Sequence, residues 1–165
     1  MIEPNYRVLA LDPGGTTGWA TYSAYRILST DEVWVYSYET WTCGHLGPGD
    51  HHEELKQLLG LQRVQDYQIV CERFDDRPGG TFSVNLKAKE YIGVVETYCK
   101  EERVALFRQM PATAKKFVKN INLQRLELWE GTKWKHAMDA RRHLLWFLVN
   151  KEKRMTLLAK GWPNG

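Results

Sequence analysis

Apolar and polar positions alternate in two different rhythms along this chain. Tyr6-Arg7-Val8-Leu9-Ala10-Leu11-Asp12 is a short apolar run that closes on an acid and is broken by Pro13-Gly14-Gly15, the pattern of a buried strand entering a turn. Thr16 to Ala24 and Glu32 to Thr42 are rich in Thr, Tyr, Trp and Val and read as two more strands, so the opening segment predicts an antiparallel meander. Beyond Gly47-Pro48-Gly49, residues Leu55, Leu58 and Leu59 take helical spacing within Asp50 to Leu61, with Asp50 as the expected N-cap. Tyr67 to Glu72 is a second β-type run ending in an acid. A strand–helix–strand crossover sets such a strand parallel to its predecessor, which predicts Glu72 near Asp12.

The second half turns helical. Between Phe82 and Lys100 the positions Val84, Ala88, Tyr91, Ile92, Val95 and Cys99 recur at three- and four-residue intervals, one buried stripe, and Leu86, Gly93 and Val94 hint at another. Val104 to Arg108 reads as a fifth strand, and Pro111 suits the first turn of a helix over Ala112 to Asn122. Gln124 to Lys135 has no clean period and, with Gly131, predicts an irregular excursion. The last helix, His136 to Asn150, buries Ala137, Ala140, Leu144, Leu145 and Leu148, while Arg141 and Arg142 are expected off the apolar face. The order is βββαβαβα, an α/β fold with a mixed five-stranded sheet.

With 165 residues the chain predicts one domain, its core at about 6–150 and a basic tail at 151–165 whose end is expected to be disordered. Apolar residues at 43% and charged residues at 26% fit a globular protein. The start lacks a basic segment followed by an apolar run, and no stretch reaches the roughly 18 apolar residues of a membrane span, so a cytoplasmic location is expected. Cys43, Cys71 and Cys99 are odd in number and unpatterned, which points to reduced core thiols. The net charge of +3 hides an asymmetry. Residues 1–72 carry 4 basic and 10 acidic side chains; residues 73–165 carry 19 and 10. A basic second half is the footprint of a polyanion-binding face.

The candidate chemistry lies at element ends: Asp12 closing the first strand, Glu72 closing the fourth, and His136 with Asp139 three residues apart on one face of the last helix. Crowded carboxylates need a cation to relieve their repulsion, and carboxylate oxygens with an imidazole are ordinary ligands for Mg²⁺ or Mn²⁺. In these residues the chain resembles the RuvC resolvases of the RNase H-like superfamily. Leu9-Ala10-Leu11-Asp12-Pro13-Gly14 is similar to that family's first-strand signature, Glu72 to the acid ending its fourth strand, and His136-Ala137-Met138-Asp139-Ala140 to its last-helix motif.

The resemblance implies an endodeoxyribonuclease that resolves Holliday junctions and other branched DNA by two-metal hydrolysis, with Asp12, Glu72, His136 and Asp139 as catalytic metal ligands. It implies an RNase H-like fold and a homodimer paired through the long helix at Phe82 to Lys100. Short, compact members of this kind often come from bacteriophages. The expected DNA track comprises Arg73 and Arg77 in the loop after Glu72, Lys87 and Lys89 on the long helix, and Lys115, Lys116 and Lys119 on the next. Such phosphate contacts weaken steeply with salt. An aromatic wedge into the junction is expected from Phe74 or Phe82.

Competing readings have their own residues. Asp12 to Gly18 also suits a phosphate-binding hairpin of an actin-like ATPase, but those enzymes need two lobes and a far longer chain. His136 and Asp139 taken singly read as a solvated imidazole and a first-turn acid, and Asp75 or Asp76 can replace Glu72. Cys43, His45, His51 and His52 lack the second cysteine pair of a zinc site. Trp19, Trp34 and Trp146 read as core, which leaves Trp129 and Trp134 for DNA. A catalytically inactive junction- or RNA-binding domain, and an RNA-directed nuclease of the same fold, are the functional alternatives.

Overall fold

Strands β1 (Tyr6–Asp12), β2 (Thr17–Leu28) and β3 (Trp34–Leu46) form the antiparallel meander, and β4 (Asp66–Glu72) and β5 (Ala105–Gln109) continue the sheet in parallel, in the order β3-β2-β1-β4-β5. The computed structural model describes residues 4–28, 34–74 and 82–163. Helix α1 (His52–Leu61) makes the crossover from β3 to β4, and α2 (Phe82–Glu102) the one from β4 to β5.

Strand periodicity divides the core in two. Tyr6, Val8 and Ala10 point to one face with Ala20, Tyr22 and Val70, where α5 (Lys135–Asn150) supplies Ala137, Met138, Ala140, Leu144, Leu145 and Leu148. Leu9, Leu11, Ile69 and Cys71 point to the other face, against Leu55 and Leu59 of α1 and Tyr91, Val95 and Cys99 of α2. Each fully buried leucine contributes about 1.5–3 kcal/mol relative to exposure. Because side chains alternate along a strand, Asp12 follows Ala10, and Glu72 follows Val70, onto the α5 face.

The structure departs from the sequence-based reading in four places. The helix expected over Ala112 to Asn122 is two helices, α3 (Pro111–Phe117) and α4 (Asn120–Arg125). Buried Val118 takes an extended conformation, and the Asn122 side chain accepts the Lys119 N–H at 2.6 Å to start the second. The segment Gln124 to Lys135 is irregular only in part, for it contains the end of α4 and a single 3-10 turn at Thr132–Trp134. Arg141 does not leave the apolar face: it is buried, donating to the Leu128 carbonyl and to Glu130 at 2.6 Å, which pins that segment onto α5. The tail is ordered through α6 (Met155–Gly161), with Arg154 buried against Tyr22 and Glu39 and Trp162 stacked on Phe117 at 4.7 Å.

Smaller differences follow the same logic. The N-cap of α1 is His51 rather than Asp50, whose carboxylate instead accepts the His52 N–H at 3.2 Å. Trp129 and Trp134 pack against the core, as does Trp146. Cys71 and Cys99 are buried and Cys43 is half-buried, all three free thiols. Among the described residues no helix is long and apolar enough to cross a membrane.

Candidate metal centre and nucleic-acid face

Asp12 lies opposite Gly18 in the β1–β2 register. A Cβ on Gly18 would sit 2.0 Å from the His136 carbonyl oxygen, so the glycine is what lets the first turn of α5 lie directly on the strand end. His136 Nδ1 consequently reaches Asp12 Oδ2 at 3.2 Å. The turn after Asp12 is held from below by His51, a buried ring that bonds Thr17 Oγ1 through Nε2 at 2.7 Å and stacks on Tyr91.

On the neighbouring strand Glu72 pairs with Gln109 of β5. His143, fully buried on α5, joins the two: Nε2 lies 2.7 Å from Glu72 Oε2 and Nδ1 2.8 Å from Gln109 Oε1. Asp12, Glu72 and His143 each offer a ligand atom, and these atoms lie within 4.8 Å of one another. His143 and Gln109 were not anticipated from the sequence. His143 did carry a signal, since it stands four residues after Asp139 and seven after His136 and therefore shares their helix face. Gln109 had none, because the register that sets it beside Glu72 is a long-range pairing.

Asp139 is close but differently engaged. Its Oδ1 accepts from Arg142 at 2.6 Å and its Oδ2 from Lys115 at 3.0 Å, so Lys115, expected on the DNA track, is here the partner of an expected metal ligand. Both cations stand beside the acidic group. Burial outweighs everything else at Asp12 and, with the charges of Glu72 and Asp139, pushes its carboxyl up despite the His136 hydrogen bond. Burial also acts to raise Glu72, but the His143 hydrogen bond and charge, helped by Lys115, hold it below its ordinary value. His136 is raised, chiefly by its bond to Asp12. For Lys115, burial opposes the charge, yet Asp139 and then Asp12 and Glu72 pull it up.

Two surfaces flank the acids. Lys115, Lys119, Asn120, Lys135, Asp139 and Arg142 border an open groove of about 610 Å³, with Lys116 exposed on the same short helix. On the other side Glu72, Arg73, Phe74, Lys89, Glu96 and Arg108 line a smaller cavity of about 210 Å³, where the Lys89 ammonium stands 5.6 Å from the Phe74 ring centre. Lys87, half-buried on α2, does not line this cavity and acts electrostatically on Asp50. Arg77, Asp75, Asp76 and the Phe82 side chain lie outside the described residues.

No family model matches the sequence, and no curated protein is significantly similar to it. Solved structures do match. Thermus thermophilus RuvC in complex with a Holliday junction substrate superposes with a TM-score of 0.54 at 14% identity, covering 84% of this chain and 89% of that one. The chain has the RNase H-like fold of RuvC. A second Thermus thermophilus RuvC structure agrees, with a TM-score of 0.51, 16% identity, and 83% and 90% coverage. In the RuvC fold described here, the two acid-terminated strands lie side by side at the centre of the sheet, under the helix that carries both histidines.

Proposed function

We propose that this protein is a metal-dependent endonuclease that cuts branched DNA, four-way junctions foremost. The observation that carries the reading is the close approach of Asp12, Glu72 and His143, near Lys115 of the lysine-lined groove, on a fold similar to that of a protein solved with a Holliday junction substrate.

The donor set fits a divalent cation. Two carboxylates and an imidazole present hard oxygens and one nitrogen, and Asp12 is buried among like charges that its own hydrogen bond does not offset. Asp12, Glu72 and His143 would hold the ion, with His136 bonded to Asp12 and Asp139 to Lys115 and Arg142. Bound Mg²⁺ or Mn²⁺ supplies an activated water and charge stabilisation at a scissile phosphate.

The chain's own residues do the rest. Lys115 and Arg142 hold and orient the Asp139 carboxyl group from two sides. Lys116, Lys119 and Lys135 give a phosphate backbone its electrostatic track along the groove, and Arg73 and Lys89 extend it past Glu72. Phe74, beside Lys89, would stack on an unpaired base. Two copies would pair through α2, where Gly93, Val94, Thr97 and Tyr98 line a hollow rimmed by Lys56, Glu90 and Glu101, presenting two sites to one junction.

Purified protein incubated with a four-way junction, a flap, a linear duplex and matched RNA substrates tests the proposal. Cleavage of the junction that requires Mg²⁺ or Mn²⁺ is expected. Tight junction binding with no cutting under any metal would instead establish a binding domain, and preference for RNA would reassign the substrate.

A further inference from the structure

His143 is tied to both neighbours in a way that constrains its ring. Gln109 Oε1 is an acceptor only, so the 2.8 Å contact requires His143 Nδ1 to carry the hydrogen. Nε2 then faces the Glu72 carboxylate at 2.7 Å, and two such groups repel unless a positive charge, a proton or a metal ion, lies between them. The ring is fully buried, and Glu72 and Gln109 are adjacent positions on neighbouring strands. A histidine whose outer nitrogen is anchored to a carbonyl oxygen while its inner nitrogen faces an acid pair has the arrangement of an oriented metal ligand.

We infer that His143 is a nitrogen ligand of the Glu72-side cation, that Gln109 is its positioning residue, and that the pair biases the site toward first-row transition ions such as Mn²⁺ over Mg²⁺. This rests on the metal-centre reading above. The bias follows from ligand chemistry: Mg²⁺ takes oxygen ligands and keeps its waters, whereas imidazole suits the transition series. His136, half-exposed and 3.2 Å from Asp12 Oδ2, is the other imidazole at the site, so a test has to tell the two apart.

The deciding measurement is pulsed electron paramagnetic resonance of the full-length protein loaded with Mn²⁺, read for coupling to imidazole nitrogen, in wild type and in His136→Ala. Persistence of nitrogen coupling in His136→Ala is expected, because His143 remains. Mn²⁺ bound by His136→Ala without any nitrogen coupling would overturn the inference while leaving the metal centre intact. Mn²⁺ affinity that is the same in wild type and Asp12→Asn would remove the metal centre and this inference together. Gln109→Leu, which keeps His143 but removes its anchor, is expected to weaken Mn²⁺ binding by about 10-fold or more and to narrow the preference over Mg²⁺; an unchanged preference counts against Gln109 as positioning residue.

Discussion

The two ends of β1 and β4 are built from the same strands and handle charge in opposite ways. At the N-terminal end, Arg26 pairs with Asp66 at 2.5 Å and lies 4.8 Å from the Tyr6 ring centre, while Asn5 exchanges two 2.6 Å hydrogen bonds with the Arg26 backbone. Arg7 donates to Ser23 at 2.7 Å. There, cation and anion are matched within the fold. At the C-terminal end, Asp12 and Glu72 meet beside the imidazoles of α5, and Asp12 is raised first by its burial and then by the charges of Glu72 and Asp139. The first end is a structural closure; the second is the place where we propose that a cation binds.

The largest effect that tests this contrast is at Asp12. Asp12→Asn is expected to lower junction cleavage by more than about 100-fold, since even outer partners of metal ligands are worth about 10- to 100-fold. The same change should raise the melting temperature of the metal-free protein, by about 3 °C if roughly 1 kcal/mol of strain is relieved. Loss of activity together with a lower melting temperature would mean that Asp12 is structural, like Asp66. The reverse pattern belongs to the other end. Arg26→Ala is expected to cost about 1.5 kcal/mol by chemical denaturation, the range of a partly exposed charged hydrogen bond, with metal affinity and cleavage unchanged under folding conditions.

Acidity gives the smallest and most graded contrast. His136, raised above its ordinary 6.5 by Asp12, stabilises the metal-free fold fully below pH 6.5, and that contribution disappears as pH rises through its folded value. Asp12, raised above 3.8 by burial, has the same sign, because the fold is penalised once the carboxyl must ionise. Glu72, held below 4.5 against its burial by His143, has the opposite sign, and its contribution is lost as pH falls through its folded value. Metal ligands must shed their protons. Mn²⁺ affinity is therefore expected to rise with pH above 6.5, by up to about 10-fold per unit for each proton released, until His136 is neutral. A flat profile from pH 6 to 8 would show that the acids and His136 release no proton on binding.

The fold itself was plain in the pattern of the chain. Short apolar runs ending in Asp12 and Glu72, two Thr- and Tyr-rich strands between them and a helical crossover at residues 50–61 define the meander and the parallel fourth strand. The expected mixed sheet and the RuvC-like fold both hold. Legibility fell where a residue's neighbour comes from far along the chain. Arg141 looked like a surface cation and is buried because Leu128 and Glu130 fold back to meet it. Only the end of the tail looked frayed, yet as far as Trp162 it is docked, because Phe117 and Tyr22 offer Trp162 and Arg154 a place. His143 shared a helix face with two expected ligands, yet only the β4–β5 register, with Glu72 beside Gln109, gives its ring two partners. Local periodicity determined which side chains face inward at which strand end. Which of them touch, and so whether a carboxylate meets an arginine or another carboxylate, was decided by tertiary packing, since the charge at a buried position depends on atoms that sequence distance does not encode.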